Sequence, residues 1–404
     1  MTALPVSVIV VSRHRAAELR LCVLALQQQD HPAVEVIVVA DPAGIAAVAG
    51  FGVKTVIFDE ANISAARNAG LALAAAPVVA FIDDDAVAEP TWLSRLVAPF
   101  ADSKVLAATG FVRGRNGISR QWGAAWVDRR GADHPFDLAE AGAVFDAGAG
   151  RAIKTQGTNC AFRRDAVLAL GGFDPAYRFY HDETDLNLRM MARTAVVPLA
   201  QVVHGFAVSE RRHANRVPRS LVEIAASSAV FLRRHAPEAL DETTYAALRD
   251  HQAERLAHHQ RAGRIDRAGV AGLMAGLADG WAEGVARDLP ILTPIAATRT
   301  AFMPLAGVGA RKGVLLTSRL WGRARAKAQA EAAVRAGQIV TLICLSLTAR
   351  QHRLRFTESG YWLHEGGIFG RSDRDGPRLR FGTLRRRVAK ERARWAKLRP
   401  VEEG

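Results

Sequence analysis

Along the first hundred residues the apolar positions fall into two alternating patterns. Unbroken runs at Val6–Val11, Val34–Val39, Val53–Phe58 and Val78–Ile82 are rich in β-branched residues and read as four strands. Between the first two, Leu19, Cys22, Val23 and Leu26 recur at the i, i+3, i+4, i+7 spacing of an amphipathic helix. Ile63–Ala75 reads as an Ala-rich helix ending before Pro77, and Pro90–Phe100 as another with proline in its first turn. Strands that are apolar throughout belong to a sheet covered on both faces. Their alternation with helices makes the fold α/β with a mostly parallel sheet and helices on both faces. Such sheets bind ligands beyond the carboxyl ends of their strands. Asp41 and the run Asp83-Asp84-Asp85 stand at two of those ends.

Three adjacent carboxylates repel one another, and partial burial raises the cost unless a cation compensates. A divalent metal, Mn2+ or Mg2+, is the natural compensator, because such ions take carboxylate and phosphate oxygens together. A diphosphate leaving group needs the same ion against its developing charge. A second acidic cluster runs His181-Asp182-Glu183-Thr184-Asp185, followed by Leu186 and Arg189. On a helix Asp182 and Asp185 share a face, Glu183 points about 100° away, and Asp185 and Arg189 are spaced to pair. One of these carboxylates is suited to act as general base towards a hydroxyl. Upstream, Gly171-Gly172 implies a tight turn, and downstream His204 closes a short apolar run.

Beyond residue 219 the pattern is mainly helical. Leu221, Ile224, Ala225, Ser228 and Phe231 form one face, Asp241–Arg264 reads as an exposed polar helix, and Gly269–Asp279 as a closely packing one. Trp281 and Trp321 read as packing anchors. The last portion changes character. Gln338–Leu347 is apolar, and His352–Phe356 and Tyr361–His364 read as a β-hairpin about Glu358-Ser359-Gly360, with Gly366-Gly367 as the next turn. Leu384–Trp395 then reads as a basic amphipathic helix.

With 404 residues, 49% of them hydrophobic, the chain has ample material for a core and is not disordered. Its apolar runs are all shorter than the ~20 residues of a membrane-spanning helix. No basic segment precedes Val6, so that run reads as a strand rather than a signal peptide, and the expected location is cytoplasmic. Cys22, Cys160 and Cys344 are isolated among apolar neighbours and read as core residues. The net charge of +14 is uneven: Arg371–Arg399 holds 12 basic and 3 acidic residues. Such a tail suits a polyanion, nucleic acid or an anionic membrane. Aromatics interleaved with its basic residues are few, Phe381 and Trp395, so nucleic acid is not the expected partner.

From Pro5 to His213 the order of these features resembles the family 2 glycosyltransferases of the GT-A fold. The matching stretches are Ala66-Arg67-Asn68-Ala69-Gly70, the strand with its DXD motif Ala80-Phe81-Ile82-Asp83-Asp84-Asp85, and Asp182-Glu183-Thr184-Asp185-Leu186. In the last of these the two leading acids are swapped relative to the family's Glu-Asp. Ser12-Arg13-His14-Arg15 departs from the family's opening turn, and Pro42-Ala43-Gly44 from the residues after its nucleobase aspartate. The resemblance implies an inverting transfer from a nucleotide-sugar donor to a glycan or lipid-linked acceptor in cell-surface polysaccharide or glycolipid assembly. It places Ser12, Asp41, Arg67, Asp83 and Asp84 with the donor, Asp85 and His204 on the metal, and Asn159 and Asp185 with the acceptor. The base falls on Glu183, with Asp182 as the alternative. The residue pattern divides the chain into a GT-A domain at 1–235, a helical region at 236–336, and a β-hairpin element with a basic helix at 337–404, and the resemblance does not reach the last two. The basic helix would give peripheral contact with an anionic membrane at its inner face. The competing reading is a non-catalytic nucleotide- or polyanion-binding protein on a GT-A scaffold.

Overall fold

A computed structural model describes residues 3–205, 211, 213–297, 300–379 and 381–401. The amino-terminal run of elements follows the apolar pattern: β1 (Val6–Ser12), α1 (Ala16–Leu26), β2 (Val34–Ala40), α2 (Pro42–Ala47), β3 (Lys54–Ile57), α3 (Ile63–Leu71), β4 (Val78–Asp83), β5 (Ala86–Ala88) and α4 (Trp92–Val97). Then come β6 (Ala107–Arg113), β7 (Arg120–Trp122), β8 (Ala125–Asp128), β9 (Asp133–Pro135), β10 (Ala143–Phe145), β11 (Arg151–Ile153) and β12 (Cys160–Arg163). Helices α5 (Arg164–Ala169) and α6 (Asp182–Met190) lead into the long β13 (Thr194–His204) and α7 (Val222–His235).

The main sheet runs β10-β13-β6-β12-β4-β1-β2-β3, with β5 added to β13 and β7 to β6. Its longest pairings are parallel, β1 with β2 and β4, and β6 with β13, while β12 runs antiparallel between β4 and β6. The four strands read from the sequence are the parallel half. Apolar side chains cover both faces, Val6, Val8 and Val10 on one and Ile9, Ile37 and Phe81 on the other. A three-stranded sheet, β11-β8-β9, occupies the region between β7 and β12.

Helix α3 ends four residues before the Ala75 expected from its composition. Arg164 takes the carbonyls of Ala74 and Ala75, and the Ala75 N–H donates to the buried Glu35 carboxylate, so side chains satisfy the backbone there. Tertiary partners override Ala helix propensity at this end. Gly171 and Gly172 both adopt left-handed backbone (φ 79° and 73°), the tight turn their pairing implies. Cys22, Cys160 and Cys344 are buried free thiols.

The second half holds α8 (Glu242–Arg261), α9 (Arg267–Ala286), β14 (Gly313–Arg319), α10 (Arg323–Arg335), β15 (Ile339–Ser346), β16 (Arg353–Phe356), β17 (Trp362–Gly367) and α11 (Leu384–Trp395). Before β14, residues 300–312 run as an irregular strap along the main sheet, donating from Met303 N to Glu35 and from Leu305 N to Val34 O. The expected hairpin is β16–β17, within a four-stranded sheet of order β14-β15-β17-β16. That sheet draws β14 from the span expected to be mainly helical, and α10 packs on it through Ala326 and Ala330. Gly366 and Gly367 lie inside β17 rather than in a turn; Gly367 packs its Cα against the Thr348 carbonyl, where a side chain would not fit. Trp281 is partly buried against Tyr245, but Trp321 is 93% exposed and anchors nothing.

The basic helix α11 is seated rather than free. Arg387, Glu391 and Trp395 form its buried stripe. Just beyond it, Arg399 is fully buried, donating to both oxygens of Glu89 at 2.6 and 2.7 Å and lying 3.8 Å over the Trp362 ring. Glu89, also fully buried, takes Arg113 as a second cation. These two arginines hold its carboxyl below the usual range against the opposing effect of burial. Among the described residues no helix is long and apolar enough to cross a membrane.

Candidate active site

The carboxyl ends of β1 and β4 place Ser12 and Asp83-Asp84-Asp85 together, as the parallel register requires. Asp84 is completely buried. Its Oδ2 accepts from Ser12 Oγ at 2.6 Å, its Oδ1 is ion-paired with Arg15 at 2.6 Å, and Arg15 also lies 3.5 Å from Asp85. Burial pushes the Asp84 carboxyl up and its acidic neighbours add to this, while Arg15 opposes it. Arg15 anchors the acidic run and is absent from the expected site; its signal was the basic turn closing β1 beside those carboxylates.

Asp85 and Asp83 face His204, which ends β13 opposite Ala86 of β5. His204 Nε2 lies 3.2 Å from Asp85 Oδ1 and 4.0 Å from Asp83 Oδ2. One ligand atom from each of the three falls within 4.8 Å of the others. Burial raises the Asp83 carboxyl, and Asp85 adds to it. Two close carboxylates with an imidazole nitrogen make an O,O,N donor set that a Mn2+-like cation fits. Trp122 of β7 packs over His204, ring centroids 5.4 Å apart, and fixes one wall. Nothing in the apolar pattern singles this tryptophan out.

Arg67, buried on α3, connects the two acidic motifs. Its guanidinium pairs with Asp182, lies 3.5 Å from Asp83, and donates to Gly157 O at 3.3 Å. Phe81 and Phe173 flank it at 5.8 and 5.2 Å. Asp182 opens α6, and its charge is committed to Arg67. Glu183, half-buried beside it, is raised to about 7 by burial and by the Asp182 charge, against Arg67 and Lys154. Lys154 is held by Asp133 at 2.6 Å. Tyr180 and His181, immediately before α6, both have positive φ (74° and 66°), a conformation costing about 1–3 kcal/mol each without glycine. The two strained residues turn the chain so that the first turn of α6 meets Arg67.

Two residues expected at the acceptor are engaged elsewhere. Asn159 is completely buried: its amide donates to Phe111 O and Ala200 O at 3.0 and 2.9 Å, and its oxygen accepts from Trp92 Nε1 at 2.7 Å. It fastens β6, β13 and α4, leaving no group for an acceptor. Asp185 is likewise buried, accepting from Arg189 Nε at 2.7 Å and His235 Nε2 at 2.9 Å. Those partners hold its carboxyl low despite burial. Asp41 caps α2 through Gly44 N and accepts from His14 N at 2.8 Å, so both its oxygens already meet backbone donors.

Residues 7–167 match the family model described as Glycosyl transferase family 2. The family resemblance read from the motifs is therefore shown for this segment, which holds the DXD strand and Arg67. A glucosyl-dolichyl phosphate glucuronosyltransferase of Haloferax volcanii is 32% identical over 117 residues, 28% of this chain. The chain spans 34% of that protein's length. Among solved structures, GalNAc-T7 with UDP, GalNAc and Mn2+ aligns at a TM-score of 0.45 and 16% identity, over 57% of this chain and 48% of the other. The mannosyltransferase PcManGT of Pyrobaculum calidifontis, in complex with GDP-Man and Mn2+, aligns at 0.43 and 17% identity, over 70% of this chain and 88% of the other.

Proposed function

We propose that this chain is an inverting glycosyltransferase that moves a sugar from a nucleoside-diphosphate donor to an acceptor hydroxyl. The observation that carries the reading is the position of Arg67, which joins Asp83 of the DXD run to Asp182 of the second acidic motif. Asp83, Asp85 and His204 would hold a divalent metal, Mn2+ or Mg2+, which when bound offsets the charge developing on the departing diphosphate. Ser12 and Arg15 fix Asp84, and through it the strand end that presents those ligands. Glu183 serves as the base, because Asp182 is neutralised by Arg67 while Glu183 keeps a carboxyl poised near neutral pH. A base taking the acceptor proton while the sugar–phosphate bond breaks gives single displacement with inversion. Asp41 is assigned to the shape of the nucleobase pocket, through its cap on α2, rather than to a direct contact.

The acceptor is assigned to glycans or lipid-linked sugars of a cell-surface pathway, met at the inner face of an anionic membrane. The exposed face of α11, with Arg385, Arg386 and Lys390, supports the membrane contact. The test is thermal stabilisation by Mn2+ with a panel of nucleoside diphosphates and nucleotide-sugars. A metal-dependent shift for one nucleotide, lost in Asp85→Ala, is expected. No shift with any of them would sink the enzyme reading and favour a polyanion-binding protein.

A further inference from the structure

We propose that the carboxyl-terminal sheet carries a second, separate metal site built from His352, His364 and Glu391, and that it takes a zinc-type ion. The three come from different elements. His352 precedes β16, His364 lies on β17 opposite Leu354, and Glu391 is on α11. All are buried, with exposures of 0%, 2% and 1%. His352 Nε2 lies 2.9 Å from His364 Nδ1 and 3.8 Å from Glu391 Oε2, and the three ligand atoms fall within 4.8 Å of one another.

Two imidazoles sealed in a core are expensive unless their nitrogens are used. Here the facing nitrogens, His352 Nε2 and His364 Nδ1, converge with the Glu391 carboxylate where an ion would sit; the far-side nitrogens, His352 Nδ1 and His364 Nε2, are buried without a hydrogen-bond partner and are not the ligands. The facing nitrogens share at most one proton in the metal-free state.

The surroundings decide which ion. Glu391 already accepts from Ser372 and lies 3.2 Å from Arg387 and 3.8 Å from Arg394. A cation here gains little from net charge and must gain from coordination by nitrogen. Zn2+, and Co2+ or Ni2+ in its place, bind imidazole strongly, whereas Mg2+ and Mn2+ rely on oxygen and charge. The two clusters of this chain thus have opposite preferences: the Asp83–Asp85–His204 set is oxygen-rich, the carboxyl-terminal set nitrogen-rich. The zinc ion would cross-link the β16–β17 hairpin to α11 and so hold the segment that carries Arg399.

The experiment uses tag-free full-length protein, depleted of metal and titrated with Co2+, with zinc content measured in parallel by mass spectrometry. Expected are about one zinc per chain as isolated and a visible d–d band on Co2+ addition, as for a buried imidazole site. The band should vanish in His352→Gln and in Glu391→Gln and persist in Asp85→Ala. Excess Mg2+ should not displace the ion. Folded wild-type protein with neither bound zinc nor a Co2+ band overturns the proposal, whatever the variants do. So does a band lost in Asp85→Ala but kept in His352→Gln, which would put the ion among the DXD carboxylates.

Discussion

At the scale of single residues, Glu183 and Asp182 are neighbours with opposite fates. Asp182 is spent on Arg67, and Glu183 is left with a carboxyl raised to about 7. A base must be ionised to act, so kcat/KM should rise with pH and level off above about 7. Glu183→Gln should lower kcat by about 10²–10⁴ with little change in donor affinity, read by steady-state kinetics. The same raised pKa has a stability signature of opposite sense. The folded state binds the Glu183 proton more tightly than the unfolded chain does. This group's contribution is therefore least unfavourable below the carboxylate's ordinary range and worsens as pH rises towards 7. Glu183→Gln should raise the melting temperature at pH 8 and barely change it at pH 4. Equal shifts at both pH values would show that the carboxyl is not raised.

At the scale of elements, the four apolar strands and the DXD run were legible because periodicity and burial agree there. The second acidic motif was legible as a motif, yet residue type did not reveal direction. Asn159 and Asp185 stand beside the site in sequence and point into the scaffold, because the turn before β12 and helix α6 use them to fasten β13, α4 and α7. Nothing in the pattern marks an asparagine as a rivet; that depends on which carbonyls arrive from residues far along the chain. Asn159→Ala should orphan the Trp92 N–H and two carbonyls, destabilising the protein by about 3 kcal/mol in urea denaturation. Metal-dependent nucleotide binding by the folded fraction should be unchanged. The small sheet was half legible: β15 and the hairpin are apolar enough to read, whereas β14 ends in polar Thr317-Ser318-Arg319 and its pairing with β15 is remote from the local pattern.

At the scale of the whole molecule, the basic tail looked like a surface feature, and its charge count was indifferent to the fact that two of its arginines, Arg387 and Arg399, are buried. Arg399→Ala should leave Glu89 with a single cation and strip the Trp362 ring of its cover. A loss of about 3–5 kcal/mol is expected for breaking a buried pair from one side. Chemical denaturation would read it, and a change below ~1 kcal/mol would mean that Arg113 suffices. Because Glu89 follows the DXD run by way of β5, which pairs with the His204 end of β13, the same variant should also weaken Mn2+-dependent nucleotide binding.

Glu89 and Arg399 are separated by 310 positions along the chain. At a synthesis rate of about 5–20 residues per second, the carboxylate emerges roughly 15–60 s before its partner exists. During that interval the Glu89 carboxylate has Arg113 as its one cation, so the nascent amino-terminal half would be a poor nucleotide binder even with its sheet already formed. Competence would then arrive as a late, nearly discrete event on the ribosome's clock, and a stalled or clipped polypeptide would be silent rather than partially active.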